Sequence, residues 1–180
     1  MKYQKIDSKL FIKNRKNFLS RMKPNSIAFF NSNDIYPVSA DSTLPFEQHR
    51  DIFYLSGVDQ EESVLMLCPS CCDQNLREVL FLKETDDHIA VWEGPKLNKK
   101  QAFENSGIKS VFWLDEMENI IDKVMNECKT IYFNHNEHYR AKIETETREE
   151  RFNKWLEGKY PNKLKERSNP ILQHFRSIKD

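Results

Sequence analysis

Cysteine thiols are the side chains of this 180-residue chain with the most distinctive chemistry, and they are Cys68, Cys71, Cys72 and Cys128. A Cys-x-x-Cys pair is half of a common tetrahedral zinc site, which two further cysteine or histidine ligands complete. Cys128, or His135 with His138, could supply those ligands. The sequence contains no second Cys-x-x-Cys, however, so the pattern favours a loop that carries thiols. Zinc binding or redox chemistry at Cys68, Cys71 and Cys72 stays open as an alternative.

Histidines suggest a second kind of chemistry, because residues 135–138 have the sequence His-Asn-Glu-His. A zinc peptidase helix needs His-Glu-x-x-His, which places both imidazoles on one face with the base between them. The spacing here is wrong for that motif, and we expect a surface turn that caps a helix. His49 and His88 could titrate near neutral pH, but neither has an obvious serine or cysteine nucleophile beside it. A catalytic triad is therefore not supported.

Carboxylates are concentrated at residues 144–151, with the sequence Glu-Thr-Glu-Thr-Arg-Glu-Glu-Arg. A dinuclear hydrolase needs several carboxylates and an imidazole that converge on a pair of metal ions. Side chains this close together on one helix point around it instead, so we expect a solvated helix.

The sequence has only 4 glycines and no phosphate-binding loop of the G-x-G-x-x-G or P-loop type.

Composition excludes several classes of partner. The 28 Lys and Arg residues balance 28 Asp and Glu residues, and no basic run is long enough to follow a line of phosphates, so nucleic acid is not an expected partner. No segment approaches the roughly 18 consecutive apolar residues of a membrane span, and the start of the chain lacks the apolar region of a signal peptide. We expect a cytoplasmic protein with no membrane contact, and a length typical of one domain.

The elements that must position these residues follow from hydrophobic periodicity. A first helix begins after Asp7, and a buried strand follows at residues 26–31. Three more strands, expected at residues 51–55, 63–68 and 79–83, are joined by short turns and would form an antiparallel meander. Later elements are a helix at 98–105, a strand at 110–114, a helix from Asp115, a strand at 130–134 and a charged helix within 137–156. The pattern predicts an α/β fold with a mixed β-sheet covered by helices.

Three motifs, in a consistent order, resemble the amino-terminal domain of Xaa-Pro aminopeptidases (aminopeptidase P), in the creatinase/prolidase group. Residues 48–57 contain the signature Gln-x-x-Asp-x-x-Tyr-Leu-x-Gly. Residues 89–97 have the sequence Ile-Ala-Val-Trp-Glu-Gly-Pro-Lys-Leu. Residues 169–179 resemble the helix that links this domain to the catalytic domain of the family. The resemblance covers about residues 8–180 and implies a three-layer α/β/α architecture.

The resemblance also implies a division of labour in a longer protein. Residues 1–168 would form a non-catalytic domain, and residues 169–180 would begin the linker to a carboxyl-terminal metallopeptidase domain that this sequence lacks. That second domain would hold two divalent ions, expected to be manganese, and would remove the amino-terminal residue that precedes proline. We expect no catalytic residue, metal or cofactor in this chain, because the ligands of the family belong to the second domain.

Two residues are singled out by the resemblance. In similar enzymes the residues that match Trp92 and Asp41 lie at a subunit contact, where the tryptophan reaches toward the active-site entrance of a neighbour. The implied role is oligomerisation and control of substrate access. The implied partners are the catalytic domain, further copies of the protein and peptides with proline at the second position. The sequence departs from the family pattern at Glu47 and at residues 49–50.

Two alternative assignments of function remain, one within this family and one outside it. The longer protein could be a prolidase, a creatinase-like hydrolase or an inactive paralogue, since the residues that discriminate these would lie downstream. A different class is a stand-alone zinc-binding or redox protein that uses the three neighbouring cysteines.

Overall fold

The computed structural model describes residues 6–86, 94–138 and 145–177. In chain order the strands of these ranges are β1 Ser26–Asn31, β2 Pro37–Ser39, β3 Ser42–Thr43, β4 Ser63–Leu67, β5 Glu78–Leu82, β6 Ser110–Trp113, β7 Thr130–Phe133 and β8 Leu164–Arg167. Within the described ranges, a six-stranded sheet has the order β6-β5-β4-β1-β7-β8, and β2 and β3 form a separate hairpin.

The sheet is mixed, as the sequence predicts. Strand β4 runs antiparallel to β1 and to β5, and Ser63 faces Leu82 across the β4–β5 pair. The outer pairs β5–β6 and β7–β8 are parallel, as is the central pair β1–β7. Parallel neighbours need a crossover connection, and helices supply it.

The helices of the described ranges are α1 Ser8–Leu19, α2 Arg50–Ser56, α3 Lys99–Ser106, α4 Met117–Met125, α5 Arg148–Lys159 and α6 Asn169–Ser177. The side chain of Asp7 accepts a hydrogen bond from the backbone N–H of Lys9, so the predicted cap of α1 is confirmed. Helix α5 begins with a capping box between Thr147 and Glu150. No helix in the described part of the chain has both the length and the apolar character needed to cross a membrane.

Alternation along the central strands sorts the core into two layers. Phe29 of β1 packs against Phe152 of α5, with ring centroids 5.3 Å apart, on the face that α4 and α5 cover. The next residue, Phe30, packs against Phe18 of α1 at 5.3 Å, on the face that α1, α2, α3 and α6 cover. Both faces are apolar because both are buried, and the three-layer α/β/α prediction is confirmed.

One strand prediction is wrong, because residues 51–55 lie in helix α2. Aromatic residues in this segment have a high strand propensity, but Ile52 and Leu55, three residues apart, are both fully buried on one helix face. Gly57 ends the helix with φ of 69°. A Cβ at Gly57 would lie 2.2 Å from Cε2 of Phe11, so no larger residue fits there. The predicted three-stranded meander is therefore only the β4–β5 hairpin.

Two elements lie where the sequence predicts none. Strand β8, with the sequence Leu-Lys-Glu-Arg, pairs with β7 at the edge of the sheet and is largely exposed, so it lacks an apolar signal. The β2–β3 hairpin lies between β1 and α2, in a segment where the sequence predicts no strand. The predicted charged helix at 137–156 corresponds to α5, which starts later, and residues 139–144 lie outside the described ranges.

Candidate functional site

A polar network lies just beyond the carboxyl ends of β1 and β7. Its buried members are Asp51, Asn134, Glu149, Asn153 and Ser168, and the partly exposed His49 and Arg176 complete it. The amide of Asn134 donates from Nδ2 to Oδ2 of Asp51 at 2.9 Å. Its Oδ1 accepts from the Ser168 hydroxyl at 2.7 Å. The second carboxylate oxygen of Asp51 forms an ion pair with Arg176 of α6. A single carboxylate therefore connects α2 to β7 and to the last described helix.

His49 and Glu149 form the proton-binding part of the network. Nδ1 of His49 accepts from the backbone N–H of Asp51 at 3.3 Å, and Nε2 lies 3.7 Å from Oε2 of Glu149. Burial lowers the pKa of His49, an effect that Asp51 partly offsets. Burial raises the pKa of Glu149 to about 8. Near neutral pH the pair therefore exists mainly as a neutral imidazole beside a protonated carboxyl group, which avoids an unpaired buried charge.

The network borders a solvent-filled cleft of about 1160 Å³, lined among others by His49, Asp51, His135, Asn169 and Arg176. The Asn169 side chain, in the first turn of α6, contacts the residue that follows Asn134. Its Nδ2 donates to the backbone oxygen of His135 at 2.6 Å. The contacts of Asp51 with Asn134 and Arg176, and of Asn169 with His135, each join two elements of the fold, so the arrangement is suited to fixing α6 on the sheet. The 3.7 Å between Nε2 of His49 and Oε2 of Glu149 is longer than a hydrogen bond, and no activated nucleophile is part of the network.

The β2–β3 hairpin forms a second candidate site, away from the main sheet. Its turn contains Ala40, with φ of 50°, and the exposed Asp41. Apolar side chains around the hairpin stay in water, with exposed fractions of 41% for Ile35, 42% for Tyr36, 58% for Val38 and 55% for Leu44. Four exposed apolar side chains within ten residues make the hairpin a candidate binding surface.

The cysteine cluster, Cys68, Cys71, Cys72 and Cys128, lies at the opposite end of the sheet. Cys68 follows β4 and Cys128 precedes β7, and their Sγ atoms are 3.4 Å apart. His135 and His138 follow the far end of β7, so they cannot complete a zinc site with these thiols. Across residues 6–86, 94–138 and 145–177, no group of three or more His, Cys, Asp or Glu side chains is placed to hold a metal ion. No metal-dependent step is therefore assigned to these residues.

Comparison with known proteins identifies the family to which the chain belongs. Residues 11–132 match the sequence profile of the family described as aminopeptidase P, N-terminal domain. The chain belongs to this family. The N-terminal domain resemblance inferred from the three motifs is thereby confirmed.

Two relatives illustrate how much of an aminopeptidase this domain represents. The chain is 26% identical over 152 residues to Xaa-Pro aminopeptidase 3 of Rattus norvegicus, covering 82% of this chain and 29% of the relative. It is 27% identical over 138 residues to Xaa-Pro aminopeptidase of Escherichia coli, covering 77% of this chain and 31% of the relative. The chain thus spans about a third of the length of the curated relatives that it matches.

Solved structures agree on the fold. An aminopeptidase P from Bacillus anthracis superimposes with a TM-score of 0.83 at 23% identity, over 97% of this chain and 41% of that chain. A variant of Escherichia coli aminopeptidase P gives a TM-score of 0.78 at 22% identity, over 98% of this chain and 40% of that chain. A third structure is described as zinc-substituted Escherichia coli aminopeptidase P in complex with product, and its TM-score is 0.76.

The signature of the aminopeptidase P N-terminal domain surrounds α2. Gln48 closes the loop after this helix, because its Nε2 donates to the backbone oxygens of Val58 at 3.1 Å and Gln60 at 2.8 Å. Asp51 pairs with Arg176, so the signature and the tail motif meet directly in the fold. Both residues belong to motifs visible in the sequence, but only the structure reveals their contact.

The predicted site residues have different outcomes. Asp41 is exposed at the tip of the hairpin. Trp92 and His88 lie outside the described residues, so the role of Trp92 stays a prediction. Sequence reasoning missed Asn134 and Glu149, since one follows a strand and the other lies in a charged run assigned to solvent. The available signal was Asn134 itself, a polar residue directly after a buried apolar strand.

Proposed function

We propose that this chain is the amino-terminal, non-catalytic domain of an Xaa-Pro aminopeptidase. In this proposal residues 1–168 form the domain, and residues 169–180 begin the linker to a carboxyl-terminal metallopeptidase domain. The names of the rat and Escherichia coli relatives support the reaction, and the limited coverage of those relatives, 29% and 31%, supports the second domain. Two divalent ions, manganese by resemblance, would belong to that second domain, where they would supply an activated water.

Anchoring of α6 supports the linker assignment. The ion pair between Asp51 and Arg176 fixes the helix from the side of α2, and Leu172 inserts into the core with 3% of its surface exposed. A helix held at both its apolar and its charged face leaves the domain in a defined direction. That direction would set how the catalytic domain sits against this one.

The proposed role of this domain in oligomerisation and substrate access rests on the β2–β3 hairpin. It lies outside the main sheet and keeps Val38 and Leu44 more than half exposed. Apolar side chains at such a position are usually covered by a partner. We propose that a second copy covers the hairpin, and that Asp41, together with Trp92, restricts the active-site entrance of that copy to short peptide ends.

The test uses the polypeptide that continues past Asp180 into the peptidase domain. Asp41→Ala should lower kcat/KM for peptides with proline at the second position, without changing the melting temperature. Asp115→Ala is the matched control, because Asp115 is also exposed but lies beside α4. Val38→Asp should reduce the oligomer mass measured by light scattering. Unchanged turnover in Asp41→Ala and unchanged mass in Val38→Asp would exclude the proposed role.

A further inference from the structure

We propose that Cys68 and Cys128 form a redox-active pair, which a peroxide converts into an intramolecular disulfide between the end of β4 and the start of β7. The two side chains are almost completely buried, with 1% and 2% of their surfaces exposed. Their Sγ atoms are 3.4 Å apart, so a bond of about 2.05 Å requires a shift of roughly 1.4 Å. This proposal rests on the cysteine cluster alone and is independent of the peptidase assignment.

The surroundings make the two thiols unequal. The hydrogen bond from Cys68 and the positive charge of Lys163 lower the pKa of Cys128. The ammonium group of Lys163 donates to the backbone oxygen of Cys128 at 2.5 Å and to that of Met125 at 2.8 Å, which holds the charge in place. The pKa of Cys68 is raised by its hydrogen bond to Cys128 and by burial. Cys128 is accordingly the nucleophile, and Cys68 is the second thiol that resolves the product.

Access to the pair runs through the loop that follows Cys68. The backbone N–H of Cys72 donates to Oε2 of Glu127 at 2.7 Å, and the Ser70 hydroxyl accepts from the backbone N–H of Asn25 at 3.1 Å. Cys72 itself is exposed. The loop buries Cys71 but exposes Ser70 and Cys72, and a loop of this kind opens more readily than the strands beneath it. Opening would bring a small peroxide to the two sulfurs.

The chemistry balances with one peroxide. The Cys128 thiolate attacks a peroxide oxygen, the O–O bond breaks, and the departing oxygen takes a proton and leaves as water, which yields a sulfenic acid. The Cys68 sulfur then attacks the sulfenic sulfur, the S–S bond forms, and a second water leaves. Two thiols and one hydrogen peroxide thus give one disulfide and two waters, and two electrons pass from sulfur to oxygen. A dithiol reductant reverses the reaction by exchange.

The cross-link would stabilise the fold. It closes the segment between residues 68 and 128, which contains β5, β6, α3 and α4. Constraining a loop of this length in the unfolded chain should raise the melting temperature by roughly 5 °C or more. The polar network lies at the other end of the sheet and should be unaffected.

The test is peptide mapping of the wild-type 180-residue chain after hydrogen peroxide treatment and alkylation of free thiols under denaturing conditions. We expect two of the 4 cysteines to resist alkylation. Fragmentation of the non-reduced peptide should join Cys68 to Cys128, and dithiothreitol should restore both thiols. The oxidised chain should melt at a higher temperature than the reduced one.

Variants assign the pair. Cys128→Ala should abolish the cross-link and the rise in melting temperature, whereas Cys72→Ser, the exposed control, should retain both. Alkylation of Cys68 and Cys128 after peroxide treatment would overturn the proposal, as would a bridge confined to Cys71 and Cys72. Because the wild-type map is decisive by itself, poor folding of the alanine variant would leave the conclusion intact.

Discussion

The two ends of the central sheet bury reactive side chains in different ways. At the carboxyl ends of β1 and β7, charged and polar groups satisfy one another and hold α6. At the amino ends of the same strands, thiols pack into an apolar layer between β4 and α4. The polar end depends on every partner being present, whereas the thiol end depends mainly on volume. Substitutions should therefore be more damaging at the polar end.

The polar end also stores a titratable group. Glu149 is 7% exposed, and its Oε1 has no hydrogen-bond partner among the described residues. A buried carboxylate with one unsatisfied oxygen favours its protonated form. At the thiol end the pKa shifts run in opposite directions, because the hydrogen bond to Cys128 and burial raise the pKa of Cys68, whereas the hydrogen bond from Cys68 and the charge of Lys163 lower that of Cys128. Stability at the two ends should therefore respond differently to pH.

The largest expected effect is that of Asp51→Ala. The substitution leaves Asn134 and Arg176 without a shared acceptor, and the Asp51 side chain is only 11% exposed. We expect the free energy of unfolding to fall by about 2–3 kcal/mol, below the full cost of a buried pair because Arg176 is partly solvated. Urea unfolding measures the loss, and hydrogen exchange should accelerate in residues 169–177 more than in β5. A loss within about 0.5 kcal/mol, equal to that of the exposed control Asp115→Ala, would contradict the anchoring role.

The second effect is the pH dependence of Glu149. Its pKa is raised to about 8 in the folded chain from an ordinary value of 4.5, so the folded state binds more protons between these limits. The contribution of Glu149 to the free energy of unfolding is fully present below pH 4.5 and is lost as the pH rises toward 8. His49 has the opposite sign, because its lowered pKa removes stability as the pH falls below 6.5.

The interval from pH 6.5 to 8 lies above the range in which His49 loses stability and reaches the folded pKa of Glu149, so the effect of Glu149 is measured there. Across it the free energy of unfolding should fall by about 1–2 kcal/mol in the wild-type chain. Glu149→Gln should remove most of this decline, since an amide does not titrate, while Glu150→Gln on the exposed face should keep most of it, because burial is the main cause of the raised pKa and the charge of Glu150 is a minor one. Urea midpoints at the two pH values measure the difference. Equal declines in both variants would show that Glu149 is ionised throughout.

The smallest effects are expected at the thiol end under reducing conditions. Cys68→Ser places a hydroxyl in an apolar layer and should cost about 1 kcal/mol. Cys72→Ser, at an exposed position, should change stability by no more than about 0.5 kcal/mol. Thermal unfolding in dithiothreitol compares the loss of stability in the two variants. A larger loss for Cys72→Ser would mean that the loop, and not the buried pair, determines stability at this end.

The parts of the fold that the sequence predicts are those with local or strictly periodic signals. Strands β1, β4, β5 and β7 are apolar runs buried on both faces, and α1 begins at an aspartate cap. The sequence predicts a strand in place of α2, because the aromatic residues of this segment obscure a burial pattern spaced by three residues. Strand β8 exists only because β7 offers a free edge, which no property of its own residues reveals.

The candidate site was predictable only in part, for a related reason. Asp41 is singled out by resemblance as a residue of a subunit contact, which stays a prediction, and Asp51 and Arg176 belong to visible motifs. Their contact joins residues 125 positions apart, and its support by Asn134 depends on where β7 ends. The raised pKa of Glu149 arises from tertiary burial of a residue inside a charged run. Local sequence carries no information about such burial.

The central proposal is that the peptidase reaction depends on a domain beyond this one. The decisive measurement compares release of the amino-terminal residue from an Xaa-Pro peptide by the 180-residue chain and by the polypeptide that continues past Asp180, each with added manganese. The account predicts no release by the 180-residue chain, and chelator-sensitive, proline-specific release by the longer polypeptide. Manganese-dependent release by the pure 180-residue chain would contradict it.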